Sequence, residues 1–526
     1  MGPLASLQAG GRIARSFRPA QSPMKETISV SPVTRIEGHL GVKIETDNGR
    51  VTSAHVVGEM FRGFEQILRG RDPLDAQQVT QRICGVCPVE HGIASVLAQD
   101  AAYGITPPPN GRLLRNLAQA ANFITSHITH FYLLSGLDFV DVAQVTTYTG
   151  SDPALVALRD WAKSELANNT VSAGGPFLPQ FPAQLIRDPA LNLGILRHYL
   201  EAIEVRRDGH KLGALFLGKL PHAATLIPGG VTEQVTAIQI AAARALLERI
   251  RLFIEQVYLP DVVAVAGAFP AYFELGRSCG NFLAYDAFPE ADTGSPFLPG
   301  GTLIGGRLGR VDAAAITEDV RYSWYSSASG RRPTEGDTVP DPHKSGAYSW
   351  LKAPRYSGKP MEVGTLPRLL VAYHDGRNTA VKSAIDGLLK AIGRPAAALD
   401  SVLGRHAARA LESKLLVDRC EVWLDQLVPG QPTSVDFKIP AAASGMGLTE
   451  AARGALGHWI EIKDHKIANY QCVVPTTWNC SPRDDRDQPG PLEQSLVGTP
   501  VADPAAPIEA ARVIRSFDPC LACAVH

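Results

Sequence analysis

The chain has 526 residues, 45% of them hydrophobic and 20% charged, with 51 Lys and Arg against 52 Asp and Glu. A net charge of −1 argues against a nucleic-acid binder, which carries a basic surplus. No apolar run approaches the roughly 18 residues of a membrane span, so any membrane association must come through a partner.

Residues 1–26 contain Arg12, Arg15 and Arg18 but no apolar stretch of a secretory leader behind them. They read as a disordered extension, with Met24 an alternative start. From 27 to 60 apolar and polar positions alternate, and Asp47-Asn48-Gly49 is a strong hairpin turn, which predicts a small antiparallel sheet. Helical spacing runs through 76–103, broken over Cys84–Pro88, and then through 111–146, 153–167, 187–216 and 232–258. Thr232 and Glu233 supply a start signal for the last of these. Residues 280–365 are rich in Gly, Pro, Ser and Tyr and predict surface loops with short strands. Helices resume over about 378–427. Residues 434–440 read as a strand, 449–456 as a helix, and the run from Ile460 to Pro475 as strand again. With no linker in sight, the expectation for 27–526 is one mainly α unit with small β-sheets, an α+β class.

Eight cysteines are too few for a disulfide scaffold in a chain of this length. Four form two C-x-x-C pairs at opposite ends: Arg82-Ile83-Cys84-Gly85-Val86-Cys87, followed by His91, and Asp518-Pro519-Cys520-Leu521-Ala522-Cys523, followed by His526. The two-residue gap lets a turn aim both sulfurs at one ion, and soft thiolates select zinc, iron–sulfur or nickel over magnesium or calcium. On spacing alone a structural zinc site competes strongly. Zinc ribbons, however, close short local loops, whereas a site needing both chain ends suits a buried active centre assembled late. Cys279, Cys420 and Cys480 have no such neighbours and read as buried free thiols.

The two pairs resemble the paired signatures of the [NiFe]-hydrogenase large subunit. The resemblance covers nearly the whole chain from about residue 30. It takes in Pro32-Val33-Thr34-Arg35-Ile36-Glu37-Gly38-His39, Met60-Phe61-Arg62-Gly63-Phe64-Glu65, Lys352-Ala353-Pro354-Arg355-Tyr356, Thr449-Glu450 with Arg453-Gly454-Ala455-Leu456, and Val473-Val474-Pro475-Thr476-Thr477-Trp478-Asn479. It implies that family's fold, with a central bundle of long helices. It also implies that Cys84, Cys87, Cys520 and Cys523 ligate nickel, with Cys87 and Cys523 bridging to an iron that carries CO and two cyanides. Glu37 becomes the proton relay beside Cys520, and Arg453 the guanidinium over the open metal site. Thr476 becomes a donor to a cyanide, and His91 and Asp518 become supporting groups around the thiolates. Ala452 departs from the proline that often precedes this arginine. Ser126 stands where some oxygen-tolerant members have Asp. Glu65, the carbonyl of Cys472 and His526 would hold a Mg2+ or an iron ion.

H2 is a very weak acid until a metal polarises it, and splitting it needs a base within reach. The chain has no cysteines left for an electron relay, so the resemblance implies an obligate small subunit with iron–sulfur clusters. A membrane electron-acceptor subunit is a further partner. It also implies maturation factors and a C-terminal endopeptidase, His526 standing at the expected cleavage point. The expected location is the periplasm, or the membrane through the small subunit, although cytoplasmic members exist. A hydrogen-sensing relative, a non-catalytic respiratory-complex relative and a structural zinc protein are the competing readings.

Overall fold

Alternating burial builds the first sheet. In β1 (Glu26–Val30), β2 (Leu40–Asp47) and β3 (Arg50–Gly58), residues such as Ile28, Val42, Ile44, Val51 and Val56 turn inward while their neighbours face out. The strands pair antiparallel in the order β1-β2-β3, and Asn48 and Gly49 take the positive φ of 51° and 71° that the hairpin needs. The computed structural model describes residues 25–168, 184–291 and 293–526. The extension expected over 1–26 lies outside these, apart from its last two residues, and Glu26 already belongs to β1.

The interrupted helix expected over 76–103 forms as two. α1 (Phe64–Leu68) leads into α2 (Asp75–Gln81), and α3 (Pro88–Tyr103) restarts after the cysteine turn with Pro88 at its first position. α4 (Pro109–Thr129) continues as a π-turn over His130–Ser135 and 3-10 turns to Thr147, so 111–146 is not one helix. α5 (Pro153–Asn168) and α6 (Pro189–Leu217) follow. α7 (Ala237–Phe253) begins later than Thr232, because Thr236 and Gln239 form a complete capping box while Val231 is taken by a short strand pair with Leu226.

Further on, α8 (Thr365–Asp375), α9 (Thr379–Ile392) and α10 (Val402–Gln426) complete the helices that matter here. α4 packs on α6 and α10, and α7 packs on α6 and α10, giving a long-helix bundle. Its interior holds Phe123, Phe131, Tyr132 and Tyr258, each side chain contributing roughly 1.5–3 kcal/mol by burial. Charge is buried too. Arg368 of α8 holds Glu412 of α10 at 2.7 Å and also Glu450.

Three expectations fail. Only an isolated bridge from Ser434 to Gly230 forms within 434–440. Residues 449–456 are not helical: β4 (Ala442–Ala451) turns at Ala452–Arg453 into β5 (Gly454–Lys463), which pairs with β6 (Lys466–Val473). The Ala- and Leu-rich composition favours helix locally, but partners on both sides of β5 override it. Short strands do occupy 281–356, yet Leu351–Tyr356 is buried, and Arg355 binds Asp484 at 2.7 Å.

β4 lies directly on α3. A Cβ on Gly447 would come within 2.1 Å of the Ala94 carbonyl, and one on Gly445 within 2.2 Å of the Ala98 carbonyl. That close approach fixes the turn carrying Arg453 against the helix that begins at Cys87. Among the described residues no helix is long and apolar enough to cross a membrane.

Candidate metal centre

The turn between α2 and α3 folds around one sulfur. The amides of Val86 and Cys87 point at Cys84 Sγ, at 3.2 and 3.5 Å, and Cys87 caps α3. The second pair follows the helix Ile508–Ser516, after Asp518 takes a positive φ of 52°. Arg62 ties the two loops together, donating to the carbonyls of Ile83 and, at 2.5 Å, Ala522. The sequence reading had Arg62 inside a matching motif but gave it no task.

All four sulfurs are buried and lie within 4.8 Å of one another. Cys87–Cys523 and Cys520–Cys523 are 3.0 Å apart, Cys84–Cys520 3.4 Å and Cys87–Cys520 3.9 Å. Metal–thiolate distances of about 2.3 Å require separations of this order. Burial pushes the thiols of Cys520 and Cys523 well up, whereas hydrogen bonds from Cys520 and its fellows pull Cys84 well down. Four thiols so packed share protons among themselves, and only a cation can hold all four as thiolates.

Glu37 meets this cluster through the backbone as well as the side chain. Its amide donates to the Pro519 carbonyl, the Leu521 amide donates to its carbonyl at 2.8 Å, and Glu37 and Cys520 form a parallel bridge. Gly38 has φ of 82°, and a Cβ there would lie 2.8 Å from the Ala522 nitrogen. Glu37 Oε2 accepts from Cys520 Sγ at 3.1 Å and from the Ala522 amide at 3.0 Å. Burial, and then the charge of Cys84, raises its carboxyl above the ordinary value.

Arg453 is aimed by Asp518, donating to its carbonyl and carboxylate at 3.0 Å each, while Nη1 has no protein partner among the described residues. Thr476 Oγ1 accepts from the Cys520 amide at 3.0 Å, leaving its own hydroxyl hydrogen to give away. Both line a small cavity beside Cys87, Cys520 and Cys523, together with Glu90, a residue that sequence reasoning passed over. His91, on the same wall, pairs its Nδ1 with His458 Nε2 at 3.1 Å, and His458 pairs with the Tyr470 hydroxyl at 2.8 Å. Burial lowers the His91 imidazole to about 3, so it is neutral here. Ser126 is buried with no partner for its hydroxyl among the described residues.

A second cluster adjoins the first. His526 Nδ1 donates to the Cys523 carbonyl at 2.8 Å, and its Nε2 faces Glu65 Oε1 at 3.2 Å. Cys472 reaches this cluster through its amide, which donates to Glu65 Oε1 at 2.8 Å, and through its thiol. Burial works to raise the Glu65 carboxyl, but Lys352, 3.5 Å away, and His526 hold it well below its usual range. Of the remaining thiols, Cys420 and Cys480 are buried as expected and Cys279 is only partly so.

Residues 62–526 match the family model described as nickel-dependent hydrogenase, and 27–57 match one described as HoxL-like. The chain is similar to the periplasmic [NiFeSe] hydrogenase large subunit of Desulfomicrobium baculatum, 42% identical over 95% of each chain. It is 36% identical to the hydrogenase-2 large chain of Escherichia coli, over 96% of this chain and 97% of that one. The reduced Ni-Fe-Se hydrogenase from D. vulgaris Hildenborough superposes with a TM-score of 0.83 at 41% identity, over 96% of this chain and 100% of that chain.

Proposed function

Because this chain belongs to the nickel-dependent hydrogenase family, as a large subunit that interconverts H2 with protons and electrons, we propose that Cys84, Cys87, Cys520 and Cys523 are its nickel ligands. Cys87 and Cys523 would also hold an iron bearing CO and two cyanides. The observation that carries this reading is the convergence of four sulfurs from both chain ends within 4.8 Å, with a carboxylate 3.1 Å from one of them. The donor set fits: four soft sulfurs for the metals, and, on residues lining the same cavity, an unpartnered guanidinium nitrogen and a free hydroxyl hydrogen that could donate to cyanides.

When bound, the metal pair supplies the polarisation that lets H2 split into unlike halves. The protein handles the proton. Cys520 Sγ accepts it and passes it over 3.1 Å to Glu37 Oε2. The raised carboxyl affinity of Glu37 favours that transfer, and its side chain is only partly buried. Asp518 keeps Arg453 in place as a fixed positive charge, too strongly held to act as a base. His91 supports the Cys87 turn as a neutral group. Glu65, His526 and Cys472 would take a Mg2+ or iron ion. His526 Nδ1 spends its proton on the Cys523 carbonyl, so Nε2 turns either a second proton or a lone pair towards Glu65.

We read 27–526 as one domain, since one hydrophobic cluster runs from Ile28 to Val525. Electrons leave to a small iron–sulfur subunit, and the enzyme works in the periplasm or at the membrane through it. An infrared spectrum of the purified enzyme, with nickel and iron contents, tests the centre. Bands of CO and cyanide with about one nickel and one iron per chain are expected. Zinc without such bands would overturn it.

A further inference from the structure

The proton route leaves one buried carboxyl at the centre unused. Glu90 sits in the first turn of α3, three residues after Cys87, and is fully buried. Its Oε1 accepts from Asn122 Nδ2 at 2.6 Å and from the Ala452 amide at 3.4 Å. Its Oε2 has no protein partner among the described residues, and Arg453 Nη1 shares that condition. Both residues line the cavity beside the cysteines. Buried polar atoms are seldom left unpaired. The residues that carry two of them, on α3 and on the β4–β5 turn, line one cavity, and the pair points to a polar occupant there. Burial raises the Glu90 carboxyl to about 7, which gives it a proton to donate around neutrality. Glu37 touches the sulfur of Cys520, whereas Glu90 has no sulfur among its hydrogen-bond partners, so Glu90 is not a second proton relay.

We propose that Glu90 is a positioning residue of the hydrogen-splitting site. One carboxyl oxygen holds the Ala452–Arg453 turn against α3, and the other donates, beside Arg453 Nη1, to the diatomic ligands of the iron. This rests on the iron–CO–cyanide reading above.

Infrared spectra of the intact enzyme, wild type, Glu90→Gln and Glu90→Val, test it together with nickel and iron contents. Glu90→Val is expected to shift at least one CO or cyanide band and to lower kcat about 10- to 100-fold, with KM for H2 nearly unchanged. Glu90→Gln keeps an acceptor for the Ala452 amide, so its bands should move less, but still move. If Glu90→Val fails to take up metal, Glu90→Gln decides alone. Bands at wild-type positions in a fully metallated Glu90→Gln would overturn the role of Glu90. A nickel-loaded wild type with no bands would instead overturn the reading of the iron ligands.

Discussion

Two buried clusters meet at the last turn of this chain, and they balance their charge in opposite ways. Around Glu65 the protein supplies everything. Lys352 lies 3.5 Å from one carboxylate oxygen, His526 and the Cys472 amide reach the other, and Glu318 shares the lysine at 3.4 Å. Around the four cysteines it supplies too little. Arg453 is engaged by Asp518, and Arg62 by the carbonyls of Ile83 and Ala522. A cluster neutralised by its own side chains can hold its shape before any ion arrives. A nest of thiols cannot become four thiolates until a metal pays the electrostatic cost. The first is therefore a matter of stability and the second a matter of chemistry.

The largest break in that contrast comes from the thiol side. Cys520→Ser is expected to lose nickel and all measurable H2 oxidation while still folding, checked by metal analysis and circular dichroism. Full nickel content in this variant would remove Cys520 from the ligand set. Glu37→Gln should keep both metals yet slow H/D exchange by roughly 10²–10⁴-fold, the usual worth of a general acid–base group. Exchange at the wild-type rate would exclude the relay. Arg453→Lys keeps the charge but not the two-pronged grip on Asp518, and a loss of about 10²–10³ in turnover is expected.

From the Glu65 side the effect should fall on stability. Lys352→Met leaves two buried carboxylates without their cation, at a cost of about 3–5 kcal/mol in denaturant unfolding. If a divalent ion binds Glu65 and His526, adding it should recover part of that loss. The smallest effect is a pH slope. Burial raises Glu493 to about 7, against about 4.3 in an unfolded chain. The folded state thus binds more protons between those values, so stability declines as pH rises from about 4.3 to 7 and levels off above. Thermal scans of Glu493→Gln should lose that slope.

Both clusters could be read from the sequence to different depths. The cysteine pairs announced themselves, because C-x-x-C spacing carries its own geometry, and Glu37, Arg453 and Thr476 came with the motifs around them. Glu90 did not. Nothing local separates a carboxyl in the first turn of a helix, where acidic residues are ordinary, from one sealed under β4. Arg62 was hidden likewise, since its work is to bind two carbonyls far apart in sequence. In the fold, the hairpin Asp47–Gly49 and the break at Cys84–Pro88 were legible from turn chemistry. The error at 449–456 had a physical source. Ala-Ala-Arg-Gly-Ala-Leu satisfies helix propensity, and only the strand partners and the glycine-lined seat on α3 explain why it is a hairpin. The resemblance also carried Cys472, whose amide and thiol both reach the Glu65 cluster.

The backbone bridge between Glu37 and Cys520 also joins two distant stretches of chain into one enclosure. One bank of the site is built by residues 37 and 84–87. The other, Cys520–Cys523, lies 433 residues beyond Cys87 and sits as a clasp between Gly38 and Arg62. With both banks in place, all four sulfurs are buried. A metal held by four buried sulfurs is out of reach of chelators in solvent while this fold stands.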